Sequence, residues 1–428
     1  MGGIFFIPAP LICEKVPLRA ELPAHLPRVK NVVEPNFIPE GAVKIGESVT
    51  EILNYKPGKI EVEQIIRPKY VVRSSDKENK VENPIIIADY VGSPIPRSNA
   101  GASFIAHILI SKFMDHLPFY RQHQILKRQG ILLAQSTMNG WFSNTVDNLL
   151  AHLHDVARKE LLKDDYLMVD ESPIPVLTKD KAGSTHRGYL WVYYSPGKKL
   201  VIFDYSKSRS RDGPNRMLSN FSGYLQTDGY AVYNNLSNKQ HITQLACMAH
   251  ARRCFEKARD NDPERAEYAL RGFQKLYEIE RIARDGDMDH RAIKALREQK
   301  AVPVLEQMKE WMDKQVTQVP PKNAIGQAFH YTLKLWPRLV RYVKDGRFYI
   351  DNNLVENSIR PVALGRKNYL FAGSHQAAQR AAIMYSLLAI CKINEVEPYQ
   401  WLKSTLERLP NCKASKLHTL LPTYKKDK

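Results

Sequence analysis

The chain has 428 residues, 43% of them hydrophobic and 25% charged, which is enough to build a real core and excludes wholesale disorder, a collagen-like repeat and a small disulfide scaffold. Lys and Arg number 63 against 45 Asp and Glu, a formal charge of +18, so a polyanionic partner is the first expectation. Five scattered cysteines (Cys13, Cys247, Cys254, Cys391, Cys412) point to a reducing cytoplasm, the apolar opening broken by Pro8 and Pro10 does not read as a signal peptide, and no run of 18 apolar residues predicts a membrane span.

From Val43 to Val72, short β-branched stretches (Val62 to Ile66, Tyr70 to Val72) alternate with Gly and Pro, which predicts a small β-rich module within residues 1–97. Ser74 to Asn83 reads as a polar loop. Residues 98–160 turn helical, with Pro118 suited to a first helical turn and Gly130 to a stop. Phe119 to Gln129, then Gly130, then Ser136-Thr137 ahead of Trp141 and Phe142, has the punctuation of a helix-turn-helix and marks a candidate DNA-binding region, although an ordinary helical hairpin looks the same. Next come dense apolar runs at Tyr166 to Val169, Tyr189 to Tyr194 and Leu200 to Tyr205. Their lack of alternation predicts strands covered on both faces, and Gly223 to Thr227 adds a short one. Residues 262–345 carry helical periodicity, including Ala266, Leu270, Phe273 and Leu276. Further helical faces follow (Ile383, Leu387, Ile390; Tyr399, Leu402, Leu406), and residues 396–428 read as a C-terminal helix and a basic tail.

Three acids stand at predicted element ends. Asp170 closes the run Tyr-Leu-Met-Val, so its carboxylate is expected to emerge where a strand ends. Asp228 follows Gly223 to Thr227 and precedes Gly229, which permits a tight turn. Glu356 lies in Asp351-Asn352-Asn353-Leu354-Val355-Glu356, a helix start with Arg360 one turn on. The separations along the chain are too long for a local metal-binding loop, so only a fold can bring these acids together. Taken singly, each is more often a turn or capping residue. Together, in so basic a chain, three carboxylates make sense as a holder of divalent metal, since Mg²⁺ takes a few carboxylates plus phosphate oxygens. Two such ions about 3.5–4 Å apart serve phosphodiester chemistry.

At this point the residues resemble the transposases of the insertion sequence 66 class, DDE enzymes with a ribonuclease-H-like core. The longest matching string runs from Asp351-Asn352-Asn353 through Glu356, Arg360-Pro361-Val362-Ala363-Leu364-Gly365-Arg366-Lys367-Asn368-Tyr369 to Gly373-Ser374. Asp170-Glu171-Ser172-Pro173 is similar to the first-acid motif, Leu225-Gln226-Thr227-Asp228-Gly229-Tyr230 to the second, and Ala249-His250-Ala251-Arg252-Arg253 to the helix after it. Leu22 to Arg28 and Asp115 to Gln122 resemble upstream family segments. The resemblance implies an α/β fold: a mixed-sheet ribonuclease-H-like core (161–261 and 346–395) with a helical insertion (262–345), preceded by the helical region and the β-rich module. It implies that Asp170, Asp228 and Glu356 are the catalytic triad and hold two Mg²⁺ ions, for which Mn²⁺ may substitute. It also implies cleavage and strand transfer on double-stranded DNA at element ends, in a bacterial cytoplasm, by a homo-oligomer with possible companion proteins and no membrane. Val29 to Gly46 holds no cysteine where the family carries a zinc-binding cluster, and Asn357 stands where some relatives carry Arg.

Arg360, Arg366 and Lys367 are candidate contacts to DNA phosphates, against the plainer reading of a solvated face. Cys247-x-x-His250 resembles a signature found after the second acid in several transposases. Its plainer reading is a packed thiol beside a hydrogen-bonded imidazole, and with Cys254 it could only mimic a zinc site, because no fourth ligand is evident. Tyr369 and Phe371 alternate as core residues do, although stacking on a splayed base is the other possibility. Two rival readings fit parts of the sequence: a truncated, non-catalytic DNA binder that occupies element ends, and a carbohydrate hydrolase, which leaves the charge unexplained.

Overall fold

The computed structural model describes residues 98–178, 183–235 and 241–424, together with strands β1 (Lys69–Val71) and β2 (Ile85–Ile87) and a few positions between 58 and 96. The chain divides into two compact units, residues 1–89 and 90–428. In the first, β1 and β2 pair antiparallel with Lys69 opposite Ile87. The expected loop at Ser74 to Asn83, the cysteine-free stretch Val29 to Gly46 and the family-like segment Leu22 to Arg28 lie outside the described residues.

The second unit is α/β and mostly helical, built on one five-stranded mixed sheet in the order β5-β4-β3-β6-β7. Its strands are β3 (Tyr166–Leu177), β4 (Thr185–Ser195), β5 (Leu200–Ser206), β6 (Gly223–Thr227) and β7 (Ile242–Ala246). The first three form an antiparallel meander, and β6 and β7 add to β3 in parallel. Leu190 to Ser195 are buried without alternation, as the apolar runs predict for a sheet covered on both faces.

Helices α1 (Ala102–Phe113), α2 (Phe119–Arg128) and α3 (Gln135–Thr145) precede the sheet, and α3 passes through a π-helical turn at Val146–Leu150 into α4 (Ala151–Leu161). Two helices flank the expected break: α2 ends at Arg128, Gly130 takes φ +81°, which suits glycine, and α3 begins at Gln135, an arrangement that a helix-turn-helix and an ordinary helical hairpin share. Short α5 (Asp212–Met217) follows β5, and α6 (Met248–Lys257) follows β7. The helical block comprises α7 (Pro263–Asp285), α8 (His290–Leu296), α9 (Val302–Gln315) and α10 (Ala324–Leu339). Helix α7 begins as its sequence prescribes, with Asp262 accepting from Arg265 N–H and Pro263 in the first turn. Then α11 (Asn353–Tyr369), α12 (His375–Ile393) and α13 (Pro398–Arg408) complete the unit.

The edge of the sheet at β5 is closed by side chains: Phe203 N–H donates to Ser386 Oγ of α12 at 2.8 Å, and the Phe203 backbone also bonds His154 of α4. A buried arginine ties the helical block to the sheet side. Arg297 pairs with Glu280 at 2.6 Å and donates to the carbonyls of Tyr342, Asp345 and Phe348, the stretch that leads into α11.

One expectation is corrected here. Strand β3 does not end at Asp170 but continues to Leu177 through Pro173 and Pro175. Parallel pairing with β6 stops at Met168 opposite Gln226, while pairing with β4 goes on. Beyond Met168 the far side of β3 is therefore an open edge. A proline, which has no N–H to donate, fits where its nitrogen faces such an edge. The outward carbonyls of this edge are taken up in turn by α11 and the chain after it. Asn352 Nδ2 donates to Val169 O at 3.0 Å, Arg366 donates to Pro173 O, and Ala372 N–H donates to Pro175 O at 2.8 Å. Helix α11 thus lies along β3 in the place a sixth strand would fill.

Candidate active site

The β3 to β6 junction sets the first two acids. Asp170 lies two residues past the last parallel pair, opposite Val192 of β4, and its Oδ1 accepts the Glu171 N–H at 2.8 Å. Asp228 follows β6 directly. Its Oδ1 accepts the Tyr230 N–H at 2.8 Å and its carbonyl accepts Tyr331 OH of α10 at 2.6 Å, a turn locked from two sides. Gly229, at φ +90°, is required there: a Cβ would come within 2.6 Å of Leu335.

The third acid is set by the segment before it. Asp351 accepts Tyr277 OH at 2.9 Å, Asn353 N–H at 3.0 Å and Asn353 Nδ2 at 2.7 Å. Asn352 is fully buried, bridging to Val169 O and donating its own N–H to Cys247 Sγ at 3.2 Å. Met248 N–H donates to Ile350 O at 3.0 Å. The Asp-Asn-Asn string is therefore a bracket that joins β3, the end of β7 and α7, and places Glu356 in the first turn of α11. No local pattern distinguishes this role from an ordinary helix cap.

Asp170 lies within electrostatic reach of both other acids. Burial pushes the Asp170 carboxyl up to about 7, and the charges of Glu171, Asp228 and Glu356 push it the same way, against the Glu171 N–H bond. Glu171, next in the strand, is itself raised, chiefly by burial, although Arg209 (Nε to Oε1, 2.7 Å) and Tyr233 OH (3.1 Å) offset this. Glu356 faces α6: its Oε1 is 3.8 Å from His250 Nδ1 and its Oε2 is 3.8 Å from Arg253 Nη2. Neither Glu356 Oε1 nor His250 Nδ1 has a hydrogen-bond partner, although both atoms are buried. A cleft of about 280 Å³ opens here, lined by Asp228, His250, Arg253, Lys257 and Tyr331 among others.

Two readings of the neighbours are corrected. Cys247 is packed, as the plainer reading holds, but His250 is not hydrogen-bonded at Nδ1 and looks at Glu356 instead. Among the described residues, the group whose ligand atoms lie within 4.8 Å is Cys247, His250 and Glu356, with Glu356 rather than Cys254 as the third member. Burial pushes the Cys247 thiol up to about 12 while its sulfur accepts the Asn352 N–H, so the thiol acts as packing and hydrogen-bond acceptor rather than as thiolate. Phe371 is not core: it is 39% exposed, because Tyr369 ends helix α11 rather than lying in a strand and the chain turns sharply at Leu370. Tyr369 is half-buried and meets Tyr385 OH at 3.1 Å. Of the candidate DNA contacts, Arg360 and Lys367 are exposed on α11, whereas Arg366 is turned inward onto the Pro173 carbonyl.

Sequence comparison adds an independent finding. The model of the family described as "Transposase IS66 family" matches residues 97–380, and that described as "IS66 C-terminal element" matches residues 386–423. Among curated relatives, the uncharacterized protein y4qI of Sinorhizobium fredii (strain NBRC 101917 / NGR234) is 32% identical over 419 residues, covering 93% of this chain and 76% of its own length. The uncharacterized protein y4jD of the same strain is also 32% identical, over 94% of this chain and 81% of its own. No helix among the described residues is long and apolar enough to cross a membrane.

Proposed function

The chain belongs to the IS66 family of transposases, and from that premise we propose that Asp170, Asp228 and Glu356 are the acidic triad of a DDE enzyme that cuts and joins double-stranded DNA. The observation that carries this reading is geometric: Asp228 lines the same cleft as His250, which Glu356 faces at 3.8 Å, and Asp170 is buried on β3, the strand that pairs with β6 just before Asp228. The sheet order supports it too. A three-stranded meander extended by two parallel strands, with one acid on the central strand and another at the end of its parallel neighbour, is how a ribonuclease-H-like core is arranged. In this reading residues 161–261 and 346–395 form the catalytic core, 262–345 an insertion, and the helical region 98–160 a DNA-binding part.

The residues fit a divalent metal. Asp170 is a carboxyl whose proton a cation would displace, and Glu356 Oε1 is a buried oxygen with nothing to accept from. Two magnesium ions, or manganese in their place, held among the three carboxylates would supply Lewis-acid stabilisation of the phosphate and a more acidic attacking water or 3′-hydroxyl. The protein's own part is placement: β3 and the Asp228 turn fix two acids rigidly, and the Asp-Asn-Asn bracket fixes the third. Arg253 and Lys257, lining the cleft beside Asp228, orient the DNA backbone by its phosphate oxygens. Exposed Arg360 and Lys367 extend that cationic track along α11. Pairing of two element ends calls for a homo-oligomer, with companion proteins where the element encodes them, and the setting is the bacterial cytoplasm.

The test is strand cleavage and joining on labelled DNA carrying the element's own ends, with Mg²⁺ or with EDTA. Wild type should give metal-dependent product and Glu356→Ala none, with DNA affinity retained. Binding without product from wild type would favour the non-catalytic DNA binder.

A further inference from the structure

Helix α11 carries more than Glu356. Its outward stripe, Asn353, Asn357, Arg360, Leu364 and Lys367, recurs at the spacing of one helix face and is exposed throughout. The stripe ends in an uncommon turn. Leu370 takes φ 63° and ψ −44°, and the Phe371 N–H donates to the Tyr369 carbonyl at 2.7 Å. This is a γ-turn with positive φ, rare and strained for any residue with a Cβ. Glycine would adopt it more easily, yet the chain places leucine there. The turn cannot relax by shifting, because Leu370 N–H is held by Arg366 O at 3.1 Å and Ala372 is bonded to β3 in both directions.

What this strained turn displays is apolar. Leu370 is 63% and Phe371 39% exposed, and Leu364 on the stripe is 52% exposed. The surroundings are cationic: Lys367 lies one turn back, and Arg121 of α2 donates to Asn368 Oδ1 at 3.1 Å. No acid lies between Glu356 and Ser374 in the sequence. Two apolar side chains set among cations match one kind of occupant, a polyanion whose charge is outside and whose interior is flat and apolar. Protein partners with acidic rims would meet the cations but offer less to a pair of protruding side chains. Duplex DNA offers both, and apolar wedges between base steps are a known way to kink it.

The geometry points to Leu370 and Phe371 as a wedge that enters a base step of the bound DNA, while Arg360 and Lys367 hold the phosphates between that step and the acids. This rests on the DNA reading above. Fourteen residues of helix separate Glu356 from Leu370, about 20 Å at about 1.5 Å per residue. That is about six base pairs from the cut at about 3.4 Å each.

The experiment uses full-length protein and a duplex carrying the element's own end, with 2-aminopurine placed singly at each position from about three to about nine base pairs inside the cut. Binding is followed separately by anisotropy. Wild type should raise 2-aminopurine fluorescence several-fold at one step near the sixth position. Phe371→Ala should remove that rise while weakening binding less than tenfold. Leu370→Gly should also remove the rise, a loss that a merely structural role would not produce, while relief of the positive-φ strain raises the melting temperature and shows that the variant is folded. Bound DNA without a rise at any position, or a rise that survives both substitutions, overturns the wedge but leaves the DNA reading intact. Absence of binding overturns both. If Phe371→Ala instead dissolves an assembly that wild type forms without DNA, the pair belongs to a protein contact and the wedge is wrong.

Discussion

At its N-terminal end α11 starts on buried, multiply bonded residues, Asp351 and Asn352, whereas at its C-terminal end it stops on an exposed leucine in a strained turn. One helix is thus anchored where it presents an acid and left open where it presents apolar and cationic side chains. The difference shows what each end is for. A carboxylate that must meet two others needs a fixed backbone, so the bonds around it are internal. A surface that meets a partner keeps its side chains free, and at Leu370 it does so at the expense of stability.

The anchored end should break hardest at its support. Arg297→Met leaves Glu280 unpaired and three carbonyls without their donor, in a site where Arg297 is only 3% exposed. The expected loss is about 3–5 kcal/mol, read from urea unfolding. Asn352→Ala, which strands Val169 O while leaving the backbone bond to Cys247 Sγ in place, should cost about 1–3 kcal/mol in the same assay and should lower cleavage as well. A loss of stability with full cleavage would mean that the bracket does not position Glu356. At the open end the sign reverses. Leu370→Gly should gain up to about 1 kcal/mol by removing strain at positive φ. Lys367→Ala should leave stability within about 0.5 kcal/mol and reduce the salt dependence of DNA binding by about one phosphate contact.

The acids give a pH test of the same contrast. Asp170 holds its proton to about pH 7 in the folded protein but only to the ordinary carboxylate range when unfolded. Between those values the folded state binds the extra proton, so metal-free stability should fall as pH rises from about 4 to about 7. Asp170→Asn should flatten that fall. Added Mg²⁺ displaces the proton, so the stabilisation it confers should grow with pH across the same window, as thermal melts at fixed Mg²⁺ would record. His154 acts at the other end of the scale. Burial pushes its imidazole down to about 4, so its contribution is complete above about pH 6.5 and is lost as pH falls toward 4.

Much of this was legible in the chain. Gly223 to Thr227 and Leu200 to Tyr205 read as strands because branched and aromatic residues without alternation suit a sheet covered on both sides, and they are strands. The turn at Asp228-Gly229 and the helix start at Asn353 follow from local chemistry that needs no partner. The true end of β3 was not legible, because Pro173 and Pro175 look like strand breakers until the open edge they face is known. Nor was the inward turn of Arg366, whose pairing with Lys367 suggests a solvated basic patch while its partner is a carbonyl 193 residues away.

By itself, then, the sequence determined the fold class, the order of elements and the motifs that tie this chain to its family, because hydrophobic period, turn residues and caps act over a few neighbours. Tertiary structure alone decided that Glu356 meets His250 and Arg253, that Asn352 brackets β3 to β7, that Cys247 is packing, and that Phe371 faces outward. Each of these depends on which surface lies opposite a side chain, and that is set by how β3, β6 and α11 pack together, not by the residues on either side.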